Sequence, residues 1–157
     1  DIEANEQFLQ SVVDVCNEKE IYDWLFRQRL NGIPYPLMYA KWFEEWGSRG
    51  WEENTHFLFM VLDKYGRAAA ACDIKSSDIF GAEIGYWCSK KHRGIMTNTV
   101  NVMVDVGFQA GFQRFYAKVK KGNVASVGVL RRAGFTPRCD LSDVRFNVFD
   151  KIAPESE

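Results

Sequence analysis

The residues AEIGYWC at positions 82–88 lead directly into the segment that most constrains the fold. Apolar side chains alternate along them, which predicts a strand. The basic turn SKKHRG at positions 89–94 follows, and helical periodicity then extends from Ile95 to Phe112. A strand that passes through a glycine turn into a helix presents the unpaired N–H groups of the first helical turn to an anion. The pattern is compatible with an anion site around Gly94, although the spacing alone favours a solvated basic turn.

Further strands and helices are predicted on both sides of this segment. His56–Leu62 and Ala68–Ile74 are extended apolar runs, and Gly66 between them has hairpin chemistry. After the central helix, residues 115–119 alternate as a strand does. A helix then opens at Asn123 and ends at Gly134, and residues 144–149 form a last candidate strand.

The first third of the chain is predicted to contain one strand and two helices. Residues 8–13 are an apolar run of strand length, and Asn17 is the candidate N-cap of a helix that reaches Leu30. Residues 32–36 contain two prolines and break that helix, and a second helix covers residues 37–46 before Gly47 and Gly50 close it. The order β-α-α-β-β-β-α-β-α-β predicts an α/β (α+β) fold with a mixed sheet and helices on both faces, as a single domain over residues 1–157.

Composition excludes several functional classes. The chain has 157 residues, 46% of them hydrophobic, and a net charge of −1, which argues against nucleic-acid and membrane partners. The start is acidic and polar, without the apolar segment of a signal peptide. The cysteines are dispersed, lack a CxxC pair and have no histidine at metal spacing. We therefore expect reduced, mostly buried thiols, no metal and a cytoplasmic location. The cysteines are Cys16, Cys72, Cys88 and Cys139.

Two stretches, residues 82–97 and 122–135, resemble the acetyl-CoA-binding core of GNAT N-acetyltransferases, in particular the branch of the ribosomal-protein N-terminal acetyltransferases. That branch pairs a strand E-I-G-Y, a basic glycine turn and a helix G-I-M-T with a later helix N-x-x-S-x-x-V-L-x-x-x-G-F. The resemblance covers most of the chain and implies the GNAT fold, a mostly antiparallel twisted sheet splayed at the strand that ends near Cys88. The turn at Gly94 is about two residues shorter than in relatives, which is either a deletion or a gap of two residues in the chain.

The resemblance also implies where acetyl-CoA binds. The turn and the first turn of the helix would hold the pyrophosphate, and the main chain at Trp87 and Cys88 would bind pantetheine and polarise the thioester carbonyl. Asn123 would hold pantetheine or a water, or serve only as a helix N-cap, for which asparagine is well suited. The turn residues concerned are Lys91, His92, Arg93, Gly94, Ile95, Met96 and Thr97.

For catalysis, the resemblance implies direct transfer of acetyl to a primary amine, either a protein N-terminus or a small amine. Glu83 is the candidate general base, unless it is simply a strand carboxylate that faces solvent. Ser126 is the candidate proton donor to the thiolate, because position 130, where many relatives carry tyrosine, is Leu130. A nucleophilic role for Cys88 is disfavoured. A homodimer is one expected oligomeric state. The alternatives are a non-catalytic acyl-CoA-binding or regulatory domain and a pure interaction module of the same fold.

Four aromatic residues lie in the region that shapes the acceptor pocket of relatives. Their helical spacing favours core packing over substrate contact, and one or two of them are expected to line the acceptor site. The four residues are Trp24, Tyr35, Trp42 and Trp46.

Overall fold

Six strands form one sheet in the computed structural model, which describes residues 1–155. β3 and β4 are parallel, and every other neighbouring pair is antiparallel. The spatial order is β1-β2-β3-β4-β6-β5, so the predicted mixed, mostly antiparallel sheet is confirmed. The strands are β1 (Phe57–Leu62), β2 (Ala68–Ile74), β3 (Ala82–Cys88), β4 (Arg114–Lys120), β5 (Thr136–Pro137) and β6 (Phe146–Ile152).

Helices cover both faces of this sheet, as the sequence predicts. One core packs α4 and α5 against β2, β3, β4 and β6, and a second core packs α1 and α3 against β1, β2 and β3. No helix within residues 1–155 combines the length and the apolar character needed to cross a membrane. The helices are α1 (Ile2–Cys16), α2 (Lys19–Ile21) with a π-helical turn at Tyr22–Phe26, α3 (Leu37–Glu53), α4 (Met96–Gln109) and α5 (Val124–Arg132).

The sheet splits between its two parallel strands. β3 and β4 pair only at Ala82 with Phe115 and at Glu83 with Tyr116, and the strands then diverge. The predicted splay is therefore present, and it begins after Glu83, well before the strand ends at Cys88. Because the β3 backbone groups that point toward β4 beyond this point have no strand partner there, they are free to pair with a bound molecule.

The predicted strand over residues 8–13 is wrong, because these residues belong to α1. Leu9, Val12 and Cys16 recur at helical spacing and are buried against the sheet. An apolar run this short fits either secondary structure, and only the longer periodicity of 15 helical residues distinguishes them.

Gly47 and Gly50 do not close the second long helix, which continues to Glu53. A Cβ on Gly47 would lie 2.4 Å from Leu58 Cδ2, and one on Gly50 would lie 2.3 Å from the His56 carbonyl oxygen. Both glycines therefore let α3 pack closely on β1. Asn54, in the left-handed conformation at φ 55°, ends the helix instead.

Asn17 caps the end of α1 and does not begin the next helix. Its side-chain amide donates to the carbonyls of Val13 and Tyr35 and accepts from the Tyr35 backbone N–H at 2.9 Å, so it ties α1 to the loop before α3. The predicted helix to Leu30 is reduced to α2 and its π-helical turn.

Two differences concern the end of the chain. The last strand begins at Phe146 and not at Val144, whose surface is 92% exposed. The short strand β5, which the sequence did not indicate, adds an edge to β6.

Candidate active site

The gap between β3 and β4 is lined by backbone groups of alternate β3 residues. Lys75 N donates to the Glu83 carbonyl at 2.8 Å, and Ser89 N donates to the Ala69 carbonyl at 2.8 Å. The backbone N–H and C=O groups of the odd-numbered β3 residues thus form hydrogen bonds with β2. Those of the even-numbered residues Tyr86 and Cys88 therefore point the other way, into the gap. The main chain of Trp87, which the sequence assigned to acetyl-CoA, pairs with β2.

The basic turn leaves a row of backbone donors free. Gly94 has φ 97°, and a Cβ there would meet no atom within 4 Å, so the chain is open to a ligand at this point. The N–H groups of His92 and Ile95 are used within the turn, by Ser89 O and His92 O. Within residues 1–155, no acceptor is found for the N–H groups of Arg93, Gly94, Met96, Thr97 and Asn98.

Glu18 supports this turn, a contact that sequence reasoning missed. Its carboxylate accepts from Ser89 Oγ at 2.7 Å and from Lys90 N at 2.8 Å. Ser89, only 2% exposed, accepts in turn from Lys91 N at 3.3 Å. The Lys90 and Lys91 amides are therefore satisfied by the protein, and the available donors begin at Arg93. A glutamate 71 residues away in sequence gives no local signal of such a contact.

Cationic side chains surround the free donors. Arg93 lies 3.8 Å from Glu20, and both side chains are largely exposed. Arg132, at the end of α5, donates from Nε to Thr97 Oγ1 at 3.2 Å and so stands beside the first turn of α4. Sequence reasoning did not single out Arg132, although a basic residue in the last turn of that helix was visible. Together with the helix dipole, these groups favour a bound phosphate.

Glu83 stands at the point where the two strands separate. It is half-buried, and its carboxylate has no hydrogen-bond or ion-pair partner within residues 1–155. The odd-numbered residues of β3 face α1 and α3, because Trp87 belongs to the second core. Lys75, the residue that follows β2, lies opposite Glu83 on that face. On the other side of Glu83, Tyr116 of β4 is its paired residue.

Ser126 and Tyr86 meet across the gap. Their hydroxyl groups share a short hydrogen bond, and Tyr86 also donates to the Ser126 carbonyl at 3.2 Å. Burial raises the pKa of Tyr86 to about 12, with the Ser126 bond acting in the opposite direction. Asn123 is the N-cap of α5 and accepts from Ser126 N at 3.3 Å, so the capping interpretation is confirmed, and the Asn123 amide N–H₂ has no acceptor among residues 1–155.

Tyr86 is thus a candidate functional residue that sequence reasoning missed. The resemblance places such a tyrosine on the later helix, where position 130 instead carries Leu130, a fully buried core residue. The structure supplies a phenol from β3 instead, 40 residues before its serine partner. The signal that could have found it is its even position on β3, which directs the side chain toward the face covered by α4 and α5.

Cys88 has no features of an activated nucleophile. Burial raises the pKa of its thiol, and the carboxylate of Glu18 raises it further. Its Sγ lies 3.5 Å from the carbonyl oxygens of Ser89 and His92, and no imidazole is in hydrogen-bonding contact with it. Since the thiolate is the reactive form, this environment disfavours covalent catalysis.

The four free thiols divide by exposure. Cys16 and Cys72 are buried, Cys88 is half-buried and Cys139 is exposed. Within the described part of the chain, no three His, Cys, Asp or Glu side chains come together as metal ligands.

Trp24 lies against the turn that follows β4, on one side of the gap. Its Cη2 lies 3.6 Å from where a Cβ on Gly122 would stand, so the π-helical turn after α2 reaches the turn before α5. Tyr35 is a core residue at 4% exposure, and Trp42 is 53% exposed. Trp46 stacks on His56 with 4.1 Å between the two ring centroids. Of the four aromatics proposed to shape the acceptor region, Trp24 is the one that the geometry brings to the gap.

The fold and the donor-rich turn define an acyltransferase of the kind that the sequence resembles. A model of the acetyltransferase (GNAT) domain matches residues 5–136, and the chain belongs to this GNAT acetyltransferase family. No curated protein matches the sequence.

Solved structures share the fold at low sequence identity. The microcin C7 self-immunity acetyltransferase MccE, in complex with acetyl-CoA and AMP, has a TM-score of 0.76 at 18% identity, over 97% of this chain and 88% of the other. Ribosomal-protein-S5-alanine acetyltransferase from Vibrio fischeri has a TM-score of 0.70 at 20% identity, over 96% and 89%. Spermidine N-acetyltransferase from Vibrio cholerae, in complex with CoA and spermine, has a TM-score of 0.70 at 16% identity, over 92% and 89%.

Proposed function

We propose that this chain transfers acetyl from acetyl-CoA directly to a primary amine, with the pyrophosphate on the Gly94 turn and the pantetheine arm in the gap between β3 and β4. The single observation that carries the proposal is the set of backbone N–H groups at the start of α4 that have no acceptor within residues 1–155, those of Arg93, Gly94, Met96, Thr97 and Asn98. Such a row is a ready-made phosphate site, since the helix dipole and the N–H groups act together. The structural neighbours match 92–97% of this chain, which supports one acetyltransferase domain over residues 1–157.

The residues around the gap fit an acyl-CoA molecule. Backbone groups of Tyr86 and Cys88 lack a strand partner on the gap side and can pair with an extended amide-containing arm. Asn123 lies at the far wall with an amide N–H₂ that has no acceptor in the described part of the chain, and Arg132 stands beside the proposed phosphate donors. When bound there, acetyl-CoA supplies the thioester acetyl group.

Each catalytic role falls to a residue of this chain. Glu83 takes the proton of the acceptor ammonium, since its carboxylate is half-buried and has no protein partner in residues 1–155. The N–H of Cys88 faces the gap and stabilises charge on the carbonyl oxygen. The Ser126 hydroxyl gives a proton to the departing sulfur, and the neighbouring Tyr86 hydroxyl holds Ser126 in place and can replace that proton.

Acetyl-CoA should bind saturably in calorimetry, with an affinity that falls as salt rises. The variant Gly94→Ala should weaken binding by about tenfold, because a residue with a Cβ pays 1–2 kcal/mol, roughly, to hold the left-handed conformation at φ 97°. Gly111→Ala is the matched control, since Gly111 has φ 112° and equally open surroundings at the other end of α4. Absence of saturable binding by the wild type would remove the proposed function.

Tyr86→Phe and Ser126→Ala should each lower kcat by about 10-fold or more with little change in the affinity for acetyl-CoA, because the two hydroxyls act as one proton donor. The double variant should be no slower than the slower single variant, since both substitutions break the same unit. Steady-state rates of thiol release give this comparison. Multiplicative losses would show that the two residues act independently.

A further inference from the structure

Lysine side chains line the face of the sheet that carries Glu83. In β4, Phe115, Ala117 and Val119 are buried in the core with α4 and α5, so the residues between them face the opposite side. Tyr116 pairs with Glu83, and Lys118 and Lys120 follow along the strand on that side. At the usual rise of a strand, their Cα atoms lie about 7 Å and about 13 Å beyond Tyr116.

A third lysine reaches this face from the other side of Glu83. Lys75 lies directly opposite Glu83, so the two Cβ atoms are about 5 Å apart. Its ammonium group lies over β3, where a Cβ on Gly85 would be 2.9 Å from Lys75 Nζ. Only glycine at position 85 leaves room for the lysine to lie there, and the Lys75 side chain keeps 42% of its surface exposed.

The charges on this face do not cancel. Asp73 binds Lys75 Nζ at 3.1 Å and accepts from Gly85 N at 3.0 Å. Lys118 and Lys120 form no ion pair within residues 1–155, which leaves three ammonium groups against the carboxylates of Asp73 and Glu83. The neighbouring cluster at the start of β4 is balanced within itself, with two arginines and two aspartates: Arg114, Arg138, Asp140 and Asp150.

From this arrangement we infer that the acceptor is an anionic amine, a molecule whose amino group lies within a few ångströms of a carboxylate or phosphate. The inference rests on the proposed function, because Glu83 must receive the amino group. With the amine at Glu83, an acidic group one or two bonds beyond its carbon reaches Lys75 or Lys118. The same lysines repel a second positive charge, so a polyamine is a poor acceptor.

The lysines are well placed to act as specificity determinants. Lys118 is exposed and Lys120 is half-buried, and the second core, which contains α1 and α3, includes no residue of β4. A ligand can therefore approach both ammonium groups from solvent, and Trp24 packs on the turn at Gly122 that follows Lys120. Charge pairs formed in such a groove favour one acceptor over another through both encounter and binding.

The test compares matched acceptors that differ only in charge. Short peptides that begin with Asp or Asn, free aspartate and asparagine, phosphoethanolamine and ethanolamine, and spermidine are assayed by thiol release from acetyl-CoA. The anionic member of at least one pair should have a kcat/KM roughly tenfold higher than its neutral partner, and 0.5 M salt should reduce that ratio. The pairs show whether peptide, amino acid or phosphate carries the recognised charge.

Two variants of Lys118 test whether the lysines beside Glu83 cause the preference for an anionic acceptor. Lys118→Gln should reduce kcat/KM for the preferred anionic acceptor about fivefold and leave that for its neutral partner unchanged, and Lys118→Glu should reverse the preference. Lys41→Gln removes an exposed lysine of α3 and is the control, with no change in the ratio.

The outcomes separate the two claims. Turnover of anionic and neutral partners at equal kcat/KM, or a higher kcat/KM for spermidine, would overturn this inference while the proposed function stands. If no amine is acetylated although acetyl-CoA binds, the proposed function fails and the inference fails with it.

Discussion

Replacement of Glu83 by Gln is expected to lower kcat by a factor of about 10²–10⁴, the usual contribution of a positioned general base. The substitution keeps the shape of the side chain and removes its ability to accept a proton from the acceptor ammonium. Because the wild-type carboxylate has no hydrogen-bond or ion-pair partner in the described residues, the variant leaves no protein group unsatisfied and should fold normally. The measurement is thiol release with the best acceptor, alongside calorimetry of acetyl-CoA.

The dissociation constant for acetyl-CoA should stay within about twofold of the wild type, since Glu83 lies on the sheet face proposed for the acceptor and the free backbone donors begin at Arg93. Glu52→Gln makes the same chemical change on the exposed surface of α3 and should leave kcat unaltered. Equal rates for Glu83→Gln and the wild type would remove Glu83 from the mechanism and return it to the role of a solvent-facing strand carboxylate.

Replacement of Phe115 by Ala is expected to lower the free energy of unfolding by about 3–5 kcal/mol, the range for a fully buried phenylalanine. Phe115 is 0% exposed and stacks on Phe112 with 5.1 Å between the two ring centroids. A Cβ on Gly107 would lie 2.4 Å from Phe115 Cζ, so α4 has a glycine where this ring packs. Since domains are typically stable by only about 5–15 kcal/mol, the variant should show a much earlier urea midpoint.

Phe80→Ala is the control for this loss. Phe80 has the same side chain but is 70% exposed in the loop before β3, so its removal should change stability by less than about 0.5 kcal/mol. A similar loss for both variants would mean that Phe115 does not hold the sheet together. Phe115 also pairs with Ala82, one residue before the last pairing of β3 with β4, so the surviving fraction of Phe115→Ala should bind acetyl-CoA less well.

The sequence predicted the part of the fold that matters most for function. The bounds of β3, residues 82–88, were predicted as observed, and the hairpin at Gly66 and the helix end at Gly134 both show the positive φ that their turn chemistry requires. These predictions succeeded because alternation, helical periodicity and glycine turns are local properties. The prediction failed over residues 8–13, where an apolar run was too short to reveal its period.

The candidate site was predicted in part. The resemblance placed the phosphate turn at Gly94 and named Asn123 and Ser126, which the structure brings to the same gap as Cys88. Of the two main-chain groups that the resemblance named, that of Trp87 pairs with β2 and that of Cys88 faces the gap. The acceptor is a prediction for the assays above, and the oligomeric state and the lack of nucleic-acid partners remain predictions.

The sequence by itself determined the order strand, glycine turn, helix, and therefore the presence of unpaired donors at the start of α4, because a helix always leaves its first N–H groups without partners. Only the tertiary structure decided which side chains surround those donors and the gap. Glu18 reaches Ser89 across 71 residues, and Tyr86 reaches Ser126 across 40. Lys118 shares a face with Glu83 only through the register of β3 on β4. Such contacts depend on how distant segments pack, and no local pattern in the chain records them.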